Sequence, residues 1–285
     1  MQTLFGGLTI GSLYALVGLG FVIIYSVAGI INFAHGEYVM LGGMLSATLS
    51  ASGMPLPVAL LIAVVVTCIV GLVSCRIITD PTERTPHMVL ILFSMGVSFL
   101  IRGAARIVWG TEYRRLPYFA DINPIRVAGG TISPQAPWIF GTLVVIMVGL
   151  FLLFERTLFG KALRATAEQP TGVKLLGISS RLMTLFAFLL GAGVAAIAGL
   201  VTTPYTTTSY NIGLAFSVKS FICAIVGGID RVEGVIAAGL AMGILEAVTA
   251  SFISSAYKEA LPLALFLVLM LWRPQGLLGR RLAEI

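Results

Sequence analysis

Residues 155–181 read ERTLFGKALRATAEQPTGVKLLGISSR, a charged island between two long apolar runs. Both flanking runs have the character of membrane-spanning helix, so the island is where the chain meets water and anything soluble that acts on it. Within it, residues 160–168 are strong helix formers, and Arg164 and Glu168, four apart, share one face. Pro170 cannot continue that helix but suits the first turn of another, which the pattern extends over residues 171–176 and Gly177 stops. Two short helices joined by a sharp turn form a knob with Lys161, Arg164, Glu168 and Lys174 outward. A solvated connection explains those charges. It does not explain Leu163, Val173, Leu175, Leu176 and Ile178, which have a use only if they pack or dock.

Composition sets the solvent for the rest of the chain. With 58% hydrophobic and 11% charged residues and a mean hydropathy of +1.02, a soluble domain would lack the polar surface it needs. The fold class is therefore an all-α polytopic membrane protein, a bundle of about 8–10 transmembrane helices, some short or broken. Residues 1–285 form a single transmembrane domain, with the loop 155–181 inside it. The start, Met1-Gln2-Thr3, lacks a basic n-region and leads into an apolar run too long for an h-region, so the first segment is expected to stay as a span. Cys68, Cys75 and Cys223 lie within apolar runs without ligand spacing and are expected to be inert packing residues.

Nine segments are apolar enough to read as spans: 4–28, 37–52, 58–77, 87–108, 138–154, 182–203, 214–228, 234–254 and 260–272. Those at 37–52, 214–228 and 260–272 are short, which suggests helices that stop part-way or lean on neighbours. Placing the island in the cytoplasm puts Arg76, Arg84, Arg156, Lys161, Arg164, Lys174, Arg181, Arg231, Arg273, Arg280 and Arg281 on that side. Only Arg106, Arg114, Arg115, Arg126 and Lys258 fall opposite, with Arg102 and Lys219 inside spans. This bias places the N-terminus outside and the C-terminus inside, and it makes the net charge of +6 a matter of topology, not of nucleic acid. The one long loop on the outer side, residues 109–137, is a candidate contact for a soluble partner or a plain connection. Gly7/Gly11, Gly239/Gly243 and Ala195/Gly199 have the small-xxx-small spacing that lets helix backbones approach closely.

Polar residues inside such a chain call for an explanation. Asn32, His35 and Glu37 fall between the first two spans, at the inner end of the bundle by this topology. They serve either as caps at a tight re-entry or as part of the inner end, or gate, of a pathway. Glu246 is about twelve residues, or ~18 Å, into its span. Lys219 and Arg102 reach the outer half of theirs. A carboxylate at that depth needs a partner, so Glu246 is expected to pair with Lys219 or Arg102, as a structural tie or as a substrate contact. Motifs for chemistry are missing: Gly160-Lys161 has Glu155 and Ala162 where a phosphate loop needs Gly and Ser or Thr, and His35-Gly36-Glu37 lacks the spacing of a zinc helix.

Four stretches carry a family resemblance: GGLTIGSLYALVGLGFVIIYSVAGIINFAHGEYVMLGG at 6–43, GKALRATAEQPTGVKLLGI at 160–178, VKSFICAIVGGID at 218–230, and GILEAVTASFISSAYKEALPLALFLVLMLWRPQGLLG at 243–279. With them the chain resembles, over nearly its whole length, LivH-type permeases of the branched-chain amino-acid ABC importer family. The resemblance implies a multi-pass subunit of the bacterial inner membrane that pairs with a second, LivM-like permease. It implies two cytoplasmic ABC ATPase subunits, which hold the ATP and Mg, and a periplasmic substrate-binding protein. By position, Lys161, Arg164, Glu168, Leu175, Leu176 and Gly177 match the ATPase-coupling loop. Asn32, His35 and Glu37 match the inner signature, and Lys219 and Glu246 match polar positions of later spans. Asp230-Arg231-Val232-Glu233 departs from the small uncharged residues usual there. Relatives carry leucine-type amino acids, urea, short amides or aromatic acids, with selection largely in the binding protein. A self-contained ion-coupled transporter or channel is the alternative reading; it would work without ATPase partners.

Overall fold

The computed structural model describes residues 1–79, 86–120, 125–127, 130–229, 231–272 and 276. Arg84, Asp230, Arg273, Arg280 and Arg281, used above for orientation or noted as a departure, lie outside them. Eleven α-helices follow one another among the described residues: α1 (Gln2–Ala28), α2 (His35–Ala51), α3 (Leu56–Thr79), α4 (His87–Trp109), α5 (Ala136–Arg156), α6 (Leu158–Glu168), α7 (Pro170–Leu175), α8 (Ser180–Thr206), α9 (Ile212–Gly227), α10 (Val232–Val248) and α11 (Ala260–Trp272). A hairpin of β1 (Ile125–Val127) and β2 (Gly130–Ile132) interrupts the long loop between α4 and α5. The hairpin marks one end of the bundle, and α6–α7, the knob, marks the other.

All nine apolar segments are helical. Six of the helices are long and apolar enough to cross a membrane, α10 among them through its π-helical extension Thr249–Ile253. The three read as short are 17, 16 and 13 residues long, in α2, α9 and α11. At 1.5 Å per residue, α9 and α11 reach only ~24 and ~20 Å, less than a hydrocarbon core.

The bundle is wrapped around α1. In its apolar stretch 89% of residues are buried, against 22% for α3 and α4 and 17% for α5. A helix that is apolar all round belongs in the middle, and α1 is surrounded by neighbours on every side. Its tightest partner is α10, running antiparallel: Gly7 meets Gly243 and Ile244, and Gly11 meets Gly239 and Leu240, backbone against backbone. The two glycine pairs picked out by spacing therefore face each other. Gly199 of α8 likewise abuts the Val39 carbonyl of α2, and Gly42 of α2 abuts Ala196. Apolar contact alone gains little over lipid, so such close approaches are what bind these helices together.

The chain reverses sharply after α1. Gly29 takes the left-handed conformation, φ 65°, and its N–H caps the Tyr25 carbonyl at 2.8 Å. Residues 30–34 then climb back along the bundle, with Asn32 Oδ1 accepting the Ala34 N–H at 3.0 Å. His35 starts α2 against the middle of α1. Its Nε2 donates to the Val17 carbonyl at 3.0 Å, and its ring fills the space above Gly20. Val17 lies eleven residues before the end of α1, or ~16 Å up the helix. Asn32, His35 and Glu37 are thus at mid-depth rather than at the inner end, because the Gly29 cap folds the chain back into the bundle.

At the knob end, the Thr157 side chain starts α6 by accepting the Gly160 N–H at 2.9 Å. Thr157→Val keeps the shape and removes that acceptor, which should cost about 1 kcal/mol. Faster amide exchange confined to the first turn of α6 is the expected reading.

Candidate functional site

The knob is mounted rigidly and faces outward. Phe159 packs edge-on against Phe186 of α8 with centroids 4.6 Å apart, Leu163 and Val173 are buried, and Gly160 sits against the Leu153 carbonyl. α6 therefore spends its apolar face on the bundle. Lys161, Arg164 and Glu168 lie on the exposed face. Arg164 bonds not to Glu168 but to Glu155, Nη2 to Oε1 at 2.7 Å, where α5 ends. Both side chains are close to half exposed, so the pair steadies the knob by no more than about 1 kcal/mol. α7 ends at Leu175, one residue before the sequence pattern placed it, and Gly177, φ 78°, turns the chain toward α8. Leu175 and Leu176 are 87% and 78% exposed at the tip. Two adjacent exposed leucines at the tip form an apolar patch of the kind that marks contact sites.

Two charge clusters lie inside the bundle. In the first, Lys219 of α9 donates to Glu246 Oε1 of α10 at 2.7 Å and to the Tyr14 hydroxyl of α1 at 3.1 Å. Tyr14 in turn donates to Glu246 Oε2 at 2.7 Å. Glu259, in the turn before α11, lies 3.2 Å from the same ammonium as a second, largely exposed ion-pair partner. The geometry is that of a tie joining α1, α9, α10 and the start of α11.

The second cluster corrects an expectation. Arg102 does not approach Glu246; it pairs with Glu37, whose Oε1 accepts from Arg102 Nη2 and, at 3.2 Å, from Nε. The two meet because α2 begins at mid-depth, level with the upper part of α4. Ser98 donates to the same oxygen at 2.9 Å. Glu37 is 1% exposed and Arg102 17%. Glu37 Oε2 and His35 Nδ1 have no hydrogen-bond partner among the described residues. Asn32 Nδ2 reaches the Tyr38 hydroxyl at 3.5 Å, and Ser217 of α9 donates to the Phe33 carbonyl while accepting the Gly36 N–H.

Tyr14, Ser98 and Ser217 were invisible to sequence reasoning. A phenol or hydroxyl in an apolar run gives no charge signal, and only the close approach of helices makes these groups partners. Of the cysteines, Cys75 and Cys223 are buried, and Cys68 Sγ lies 3.7 Å from the Leu189 carbonyl.

A bundle of crossing apolar helices around one buried helix, with its polar interior tied in pairs and a leucine-tipped knob at one end, defines a multi-pass membrane protein. Residues 3–270 match the family described as "Branched-chain amino acid transport system / permease component". The chain belongs to that family, and it is a permease subunit of an ABC importer. It is 31% identical to the high-affinity branched-chain amino acid transport system permease protein BraD of Pseudomonas aeruginosa, over 98% of this chain and 96% of that one. It is 30% identical to the LivH permease of Escherichia coli over the same shares. A probable LivH of Methanocaldococcus jannaschii is 25% identical over 96% and 91%.

Proposed function

We propose that the chain is one of two permease subunits that together form the pathway of an importer for branched-chain amino acids or a related small polar substrate. In this reading the knob faces the cytoplasm, the N-terminus lies outside and the C-terminus inside, in a bacterial inner membrane. A LivM-like permease is the second subunit, two ABC ATPases carry ATP and Mg, and a periplasmic binding protein delivers the substrate. This chain binds no cofactor and hydrolyses nothing. Closure of the ATPase dimer pushes on the knob, where Lys161, Arg164 and Glu168 flank Leu175, Leu176 and Gly177, and the bundle converts that push into alternating access.

The observation that carries this is the exposure of Leu175 and Leu176 on a fixed mount. Replacing both with glutamate is expected to abolish co-purification of the ATPases and ATP-dependent leucine uptake into proteoliposomes, with membrane insertion unchanged. Full uptake by the variant contradicts the coupling role. The alternative, an ion-coupled transporter, has the two buried ion pairs in its favour; it predicts leucine uptake driven by an ion gradient with the ATPases omitted.

A further inference from the structure

Helix α4 is seated through polar groups as well as apolar ones. Among the described residues it fully buries Ser94, Val97, Ser98 and Ala105, so half of that set is hydroxyl-bearing. Ser94, Ser98 and Arg102 follow at steps of four and form one stripe down the helix. Every one of them bonds to residues 31–37. Ser94 Oγ accepts the Phe33 N–H at 3.1 Å and lies 3.4 Å from the Ile31 carbonyl. Ser98 and Arg102 share Glu37 Oε1. The two ends of α4 differ. Toward the hairpin, Ala105 packs with Met40, Leu41 and Met44 of α2. Toward the knob, α4 backs onto an apolar groove of about 590 Å³ shared with α3 and lined by Ile77, Val89, Phe93 and Leu100 among others.

Apolar side chains gain little by leaving lipid for protein, so the stripe does much to decide where the middle of α4 sits. An ion pair in such surroundings is costly to part, which makes seated and unseated positions discrete rather than continuous. Glu37 Oε2 stays unpartnered among the described residues, so the tie falls short of full satisfaction, as a contact that must be broken can.

We infer that Ser94, Ser98, Arg102 and Glu37 form a latch that holds the middle of α4 against residues 31–37, and that the latch opens and recloses during transport as α4 pivots about its hairpin-side end, where Ala105 packs on α2. The inference rests on the importer reading for its role, though not for its existence. These are positioning residues; none needs to touch the substrate. The knob and the free half of α4 lie at the same end of the bundle, so a push from below acts where α4 can yield.

The test places spin labels at Met88 on α4 and Leu182 on α8, in a complex whose three cysteines are replaced by alanine, and reads their distance distribution in nanodiscs. The nucleotide-free wild-type complex should give one narrow distance. Glu37→Gln with Arg102→Gln, which removes both charges together, should add a second population displaced by about one helical turn, ~5 Å. ATP should bring the same population up in the wild type. In uptake, the double variant should fall at least tenfold while hydrolysis loses its dependence on loaded binding protein. Arg102→Lys should restore most of the loss. If the double variant fails to assemble, Ser94→Ala with Ser98→Ala removes two hydroxyls at little steric cost and should broaden the distribution in the same direction. A distribution identical to wild type in the variant that assembles overturns the latch. Absence of ATP-dependent uptake in the wild type overturns the importer reading instead, and leaves the distance comparison standing as the measure of the latch.

Discussion

Replacing Lys219 with methionine is expected to destabilise the bundle by about 3–5 kcal/mol, because Glu246 is then left in a nearly dry site without its cation. The Tyr14 hydroxyl still donates to Glu246 Oε2 at 2.7 Å, but a phenol supplies no charge. Removing both members, Lys219→Met with Glu246→Leu, should recover most of the loss, since the cost lies in the uncompensated carboxylate more than in the missing bond. Thermal unfolding of the purified protein in detergent reads the difference directly. A Lys219→Met protein that melts with the wild type would show that Glu246 is already neutral or hydrated, and that the four-way tie does not hold α1, α9 and α10 together.

A second large effect is expected at the contact between α1 and α10. Gly243 approaches the backbone of Gly7 and Gly11 so closely that a Cβ would overlap the Gly11 nitrogen and the Gly7 carbonyl. Gly243→Val cannot be absorbed by a side chain moving aside, because the obstacle is main chain. The helices must part along their length, losing close backbone packing over both glycine pairs, and the cost should exceed the ~1–3 kcal/mol of ordinary overpacking. Gly141→Val on α5 is the matched control, since nothing lies within 4 Å of the Cβ it would add. Yield of folded protein in membranes should collapse for the first variant and hold for the second. Equal yields would mean that α1 and α10 do not approach as described.

The two glycine pairs on α1 and α10 were legible in the sequence as spacings, but not as partners of each other; thirty-two glycines offer many such spacings. The nine helices followed from apolar run length, the quantity lipid itself selects. Lys219 and Glu246 could be matched because deep opposite charges in nearby spans must find each other. Arg102 could not be assigned the same way. Its place along its own helix was legible, but Glu37 was counted from the wrong origin, since a left-handed turn at Gly29 and five irregular residues lift the start of α2 to mid-bundle. Nothing in the composition of Ile30 to Ala34 announces that climb. The knob was legible through Pro170 and Gly177, residues whose backbone chemistry punctuates helices. The bond between Arg164 and Glu155 was not, because it depends on how α6 turns away from α5.

A permease driven from below must hold its knob in the cytoplasm under a bound ATPase, and labelling at the knob's tip tests that most directly. With Cys68, Cys75 and Cys223 replaced by alanine and Leu176 by cysteine, a membrane-impermeant maleimide is applied to sealed vesicles of each orientation. Labelling from the cytoplasmic side alone, and its suppression when the ATPases are bound, is the predicted result. Labelling from the opposite side, or labelling that the ATPases leave unchanged, would contradict it.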